Sequence, residues 1–221
     1  MKKIIALLSL TISGLSFCQD DSKLSLGIQY APEIAYRTSS SNFHDQEILY
    51  GFSSGVTIQF QATDRLTFQT GASYAEGGYS SGPMIFMDNF GNTLGEAEML
   101  FRSRHIQVPL NVMFHFKNSG PHFYAGAGII PGYVADVEYK TRGNFPGEEN
   151  FYTESHSKEN INPFSLNATG FAGLSLPVGE RSSFCIEPGF RYGLIGVTKT
   201  TQFIEYHLWN AGINFRYEIK L

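Results

Sequence analysis

The chain has 221 residues, with 16 Lys and Arg against 20 Asp and Glu, a formal charge of −4, and only 16% charged residues. This acidic balance, without a basic patch, excludes the electrostatic footprint of a nucleic-acid-binding protein. A content of 19 Phe, 12 Tyr and 23 Gly favours strands, and no segment carries a clear 3.6-residue helical period.

Residues 1–18 have the form of an export signal. Lys2 and Lys3 supply a basic start, Ile4 to Leu15 an apolar stretch, and Ser16-Phe17-Cys18 a small-x-small end, so cleavage is expected before Gln19. Lipid attachment at Cys18 is the alternative, opposed by the bulky Phe17 before it. Removal of the signal leaves 14 cations against 20 acids, a formal charge of −6, and Cys185 as the sole thiol, so no internal disulfide forms. Residues 19–221 read as a single β domain. They contain no apolar run of about 18 residues, so a membrane crossing would require a closed barrel of strands.

Eight strands follow from two-residue alternation. In the first, Leu24, Leu26, Ile28, Tyr30, Ile34 and Tyr36 alternate with Ser25, Gly27, Gln29, Glu33 and Ala35. The second sets Ile48, Tyr50, Phe52, Val56, Ile58 and Phe60 against Gly51, Ser53, Gly55, Thr57 and Gln59. The third runs from about Arg65 to Tyr74. The fourth places Ile106, Val108, Leu110, Val112, Phe114 and Phe116 against His105, Gln107, Pro109, Asn111 and His115, after a change of phase near Met99 to Arg104 that predicts a bulge. The fifth carries Phe123 to Val137, the sixth Phe164 to Leu176, and the seventh Phe184 to Leu194. The last is the clearest: Trp209, Ala211, Ile213, Phe215, Tyr217, Ile219 and Leu221 form one face, and Asn210, Gly212, Asn214, Arg216, Glu218 and Lys220 the other.

The connections divide into two kinds. Ala62-Thr63-Asp64, Lys117 to Pro121 and Val178 to Ser182 are short turns, whereas Arg37–Glu47, Ser80–Glu98 and Lys140–Ile161 read as long loops, with a shorter one at Lys199–Phe203. Short turns at one end and long loops at the other fit an eight-stranded antiparallel up-and-down transmembrane β-barrel in the cell outer membrane, with turns and both termini periplasmic and long loops extracellular. A soluble barrel with its apolar face inside is the competing architecture. Against it stand the Gly, Ala and Ser of the polar face, small enough for a narrow lumen, the aromatic residues toward strand ends, and the scarcity of Lys and Arg within strands.

Arg104-His105-Ile106-Gln107-Val108-Pro109-Leu110, followed after a turn by Phe123-Tyr124-Ala125-Gly126-Ala127-Gly128 and Pro131-Gly132-Tyr133, resembles a hairpin of the PorT-like outer-membrane β-barrel family of Bacteroidetes-type genomes. The resemblance implies the barrel fold and the outer-membrane location; the secretion role of that family's founding member is not carried over. Leu221 stands where such barrels often end in Phe or Trp, and keeps the apolar parity.

The candidate site is a lumen charge cluster of Glu33, Arg65, Glu187, Arg191, Arg216 and Glu218, expected to pair and plug an interior that eight strands leave narrow. His105 and His115 share the inward face but stand ten residues apart on one strand, about 33 Å. His115 and His122 fall opposite each other if the hairpin centres on Asn118-Ser119, a pair that could bind a transition metal or titrate together. Glu154, Ser155 and His156 hold the residue types of a hydrolytic triad, which ordinary loop composition explains better, and Glu205 and His207 share the apolar parity, as in the membrane-facing site of lipid-A-modifying barrels, but without the His-x-Ser motif of a lipid A deacylase. The segment from Arg142 to Asn160, long, polar and carrying Phe151 and Tyr152, suits surface contact.

The expected function is structural, or an envelope-assembly or interaction role, without catalytic residues, cofactor or metal. A narrow porin-like channel and a lipid-modifying enzyme are the alternatives. Expected partners are outer-membrane lipid and lipopolysaccharide, and envelope or secretion-system proteins; nothing in the sequence fixes an oligomeric state.

Overall fold

The computed structural model describes residues 23–39, 48–117, 120–145, 151–199 and 206–221. The expected signal segment lies outside the described residues. Ten strands are present: β1 Leu24–Ser39, β2 Leu49–Gln61, β3 Leu66–Met87, β4 Thr93–Gln107, β5 Leu110–His115, β6 His122–Asn144, β7 Phe151–His156, β8 Phe164–Pro177, β9 Ser182–Gly193 and β10 Tyr206–Lys220.

All pairings are antiparallel, and each strand of the ring joins its neighbour in sequence. β4 and β5 lie in line along β3 and β6. They are one ring position interrupted at Pro109, which has no N–H to give to a ladder; Val108 keeps contact by donating to Pro131 O at 2.9 Å. β1 pairs with β10, from Ser25↔Lys220 to Ser39↔Tyr206, and closes the ring at eight positions. β7 stands outside the ring and pairs with β6.

The wall is inverted relative to a soluble protein. Thr57 and Arg216 are 1% exposed, and Gln59, Gln69, Gln107 and Glu187 are also buried, whereas Ile28 and Phe123 are 63% and 66% exposed. One parity of each strand turns polar groups into the lumen and the other turns apolar groups outward. Such an exterior is at home in hydrocarbon and costly in water, which settles the choice between a membrane barrel and a soluble one. Aromatic contacts cluster toward both ends of the wall. Tyr36–Trp209 (5.4 Å between ring centres) and Tyr133–Phe164 (6.0 Å) lie at the end of the long connections, and Phe114–Phe116 (5.7 Å) and Phe184–Phe215 (6.3 Å) at the end of the short turns.

Two expected loops are largely strand. β3 continues to Met87 and β4 begins at Thr93, so Ser80–Glu98 is a hairpin closed over Asp88–Asn92. Asp88 Oδ1 accepts from the N–H groups of Phe90 and Asn92 at 2.8 and 2.9 Å, and Gly91 takes φ +85°. Similarly, β6 reaches Asn144 and β7 returns along it, which fills much of Lys140–Ile161. Register shifts after Ser80 and Phe86 break the alternation that would have marked the first extension. The bulge expected near Met99–Arg104 lies between Arg104 and His105, where β6 carries Ala135 as an extra residue between the partners Val134 and Asp136.

The hairpin end of the lumen is filled with apolar side chains. Tyr79, Phe101, Val134, Val137 and Ile161 are buried together, with Tyr139, Val197 and Leu208 against them. Ile161 belongs to a segment held across the mouth: Asn162 Nδ2 donates to Gly196 O at 2.6 Å and to Thr198 O at 3.0 Å.

Candidate functional site: the lumen

Five of the six residues of the expected charge cluster meet inside the barrel. Nearer the short turns, Arg216 pairs with Glu187 through Nη1–Oε1 at 2.7 Å and with Glu218 through Nε–Oε2 at 3.2 Å. Tyr124 Oη donates to Glu187 Oε1 at 2.6 Å and accepts from Arg216 Nη2 at 3.3 Å. Glu218 also accepts from Gln59 Nε2 and Ser183 Oγ, each at 2.9 Å, and Asn214 Nδ2 donates to Glu187. Four strands, β2, β6, β9 and β10, are thereby tied through one guanidinium layer.

A second layer lies nearer the hairpins. Arg191 on β9 pairs with Glu33 on β1 and donates to Gln107 Oε1 on β4 at 2.8 Å, while Ser53 Oγ on β2 donates to Glu33 Oε1 at 2.9 Å. Taking charges out of water is repaid only when they are paired and hydrogen-bonded, and both layers meet that condition. Around the second layer little space remains: a hollow of about 100 Å³ bordered by Glu33, Asn111, Glu187 and Asn214, and one of about 50 Å³ on the hairpin side of Arg191.

Arg65 does not join them. It lies exposed in the turn before β3, its N–H donating to Thr63 Oγ1 at 3.3 Å. Its carbonyl accepts from His115 N–H at 2.8 Å, but it stands before the first residue of β3, at the rim, where an inward parity no longer leads into the lumen. The sequence pattern also missed Tyr124, Gln59 and Gln107 as partners; their inward parity was visible, and the cross-lumen register that unites them was not.

Beyond the apolar band, a different set of charges faces outward. Arg104 contacts Glu76 Oε2 at 3.2 Å, Asp136 Oδ2 at 2.6 Å and Glu138 Oε2 at 2.9 Å. Arg102 joins Glu76 at 3.3 Å, and Lys140 joins Glu138. Partial burial pushes the Asp136 carboxyl up, but hydrogen bonds from Arg104 and His156 outweigh it and hold the group below the usual carboxylate range.

The histidines separate by environment. His105 contacts Ser103 Oγ at 2.9 Å and Ser165 Oγ at 3.3 Å. His115 does not sit opposite His122, since its backbone partner is Tyr124, two residues further on; the rings nonetheless touch, with Nδ1 of His115 3.0 Å from Nε2 of His122. His207 stacks on Tyr192 at 5.7 Å with Nδ1 2.8 Å from Gly193 O, and Glu205 lies outside the described residues. Glu154, Ser155 and His156 are consecutive on β7, so Ser155 points to the opposite face from the other two and no triad forms. Among the described residues, no three His, Cys, Asp or Glu side chains converge as a metal site.

A closed antiparallel ring with a polar, ion-paired interior and an apolar exterior defines a transmembrane β-barrel. The family described as outer membrane protein beta-barrel domain matches residues 10–199, and the chain belongs to it. Comparison with curated proteins finds no match. Among solved structures, Neisserial surface protein A is 16% identical, with 92% of this chain and 100% of that one covered and a TM-score of 0.45. Ail, the attachment invasion locus protein of Yersinia pestis, is 14% identical (89% and 99% covered, TM-score 0.34). The outer membrane protein OprG from Pseudomonas aeruginosa is 10% identical (91% and 98% covered, TM-score 0.39).

Proposed function

We propose that this protein is a non-conducting outer-membrane barrel with a structural or interaction role, set with its short turns and both termini in the periplasm and its long hairpins outside. The observation that carries the reading is the double ion-pair layer, Glu187–Arg216–Glu218 and Glu33–Arg191, beneath an apolar plug around Phe101 and Ile161. A path for hydrated ions would have to break both layers and displace the plug, and each broken buried pair costs several kcal/mol. What such a protein offers its surroundings is its outer surface. Membrane lipid and lipopolysaccharide would contact the apolar wall, and the charges around Arg104 would stand where headgroups begin. The β3–β4 and β6–β7 hairpins would present a rigid surface to envelope or secretion-system proteins. The hairpin from Arg104 to Tyr133 supports placing the chain among PorT-like barrels.

Planar-bilayer recording tests the central point. Purified protein is expected to give no stable current steps, and regular single-channel steps from the wild-type protein would replace this reading with a narrow porin.

A further inference from the structure

The turn end of the lumen opens into a cavity of about 270 Å³. Its rim carries His115, the last residue of β5, and His122, the first of β6. Gly120, in the connection between them, takes φ +69°, and His115 is backed by the Tyr124 ring at 5.2 Å between centres. The ring nitrogens that face each other, His115 Nδ1 and His122 Nε2, are 3.0 Å apart.

Three features make this pair more than a solvated rim. The other nitrogen of His122, Nδ1, lies 2.8 Å from Gly120 O. Donation to that carbonyl fixes the tautomer and turns the Nε2 lone pair toward His115 Nδ1, the arrangement that orients metal-bound imidazoles elsewhere. Next, two imidazole nitrogens bound at about 2.0–2.1 Å to one ion at tetrahedral or right angles stand about 2.8–3.4 Å apart, a range that includes the observed separation. Last, His115 Nε2 is buried without a hydrogen-bond partner, so nothing holds it as an acceptor and it can carry the ring proton when Nδ1 binds an ion. The cavity wall is mixed in charge, with Asp64, Glu180 and Glu218 against Lys23, Lys117, Arg181 and Lys220.

We propose that His115 and His122 form a binding site for a late first-row divalent ion at the turn-end mouth of the barrel. Imidazole suits such ions, and Cu²⁺ binds nitrogen ligands most strongly among them. No third side chain of the described residues completes the set, so water occupies the remaining positions and the ion exchanges readily with the solution that fills the cavity.

The test is titration of untagged, detergent-folded protein with Cu²⁺, followed by calorimetry and by electron paramagnetic resonance, with heat-modifiable gel mobility certifying that each variant is folded. The wild type is expected to take up one ion per chain and to show hyperfine coupling from two imidazole nitrogens. His115→Gln and His122→Gln should each weaken binding at least about tenfold, the loss that even an outer partner of a ligand can cause, while His156→Gln, at the hairpin end, should bind as the wild type does. Absence of binding by the wild type, or unchanged affinity in folded His115→Gln and His122→Gln, would overturn the site.

Discussion

Tyr124 and Glu187, 63 residues apart in sequence, meet inside the barrel at 2.6 Å, with the Arg216 guanidinium on the same carboxylate. The phenol hydroxyl donates to the carboxylate, and the Arg216 guanidinium supplies its countercharge. Substitution of Arg216 by Ala strands a buried carboxylate, Glu187, and removes the countercharge of the part-buried Glu218. We expect a loss of about 3–5 kcal/mol, read as a lower urea midpoint for loss of the heat-modifiable gel form in lipid.

The second layer predicts strong coupling. Glu33→Gln and Arg191→Gln should each destabilise the barrel, and the double variant should be less destabilised than the sum, with a coupling of about 1–3 kcal/mol. Additive effects in the same unfolding assay would mean that the two side chains do not act as a pair.

Tyr124 lies in a slot that exists because residue 173 is Gly. A Cβ there would stand 2.3 Å from Tyr124 Cζ, and the ring is enclosed by Arg216, Glu187 and His115. Gly173→Ala is therefore expected to cost about 1–3 kcal/mol by overpacking. Tyr124→Leu combined with it should recover part of that loss; no recovery would place the strain elsewhere.

The outward charges give a pH dependence. Asp136 titrates lower in the folded protein than in the unfolded chain, where the carboxyl sits near 3.8. Its contribution is thus complete above that value and disappears as the pH falls through the lower folded value. Amide hydrogen exchange across Asp136–Tyr139 in micelles, corrected for the intrinsic pH dependence of exchange, should show constant protection from pH 7 down to about 5 and falling protection below about 4. Asp136→Asn should flatten that response.

The eight-position ring was legible in the sequence because each ring strand faces two unlike surroundings, which writes a two-residue period into its side chains, nowhere more plainly than from Trp209 to Leu221. The hairpin extensions were not. Beyond the apolar band both faces of a strand are less sharply contrasted, and the register shifts at Ser80/Pro83 and Phe86/Met87 remove the remaining phase. Inward charges were expected from parity; Glu33 and Arg216 are buried in the lumen, whereas Arg65 is exposed in the turn that precedes β3. The His115–His122 contact was anticipated from a hairpin centred on Asn118-Ser119, whereas the actual pairing of His115 with Tyr124 makes it diagonal. Which inward groups touch across the lumen depends on the stagger of strands around the ring, information that no single strand contains.

The seam between β1 and β10 joins residues that are among the most distant in the chain, Ser25 with Lys220 at one extreme. Until that seam zips, the sheet has two raw margins and an oily outer surface with no lipid to receive it, and the loop to be closed is nearly the whole polypeptide. Local pairing cannot rescue such an intermediate, so assembly is expected to be slow and dominated by contacts of long sequence separation. For this chain, folding and entry into the membrane are therefore expected to be coupled through the pairing of β10 with β1.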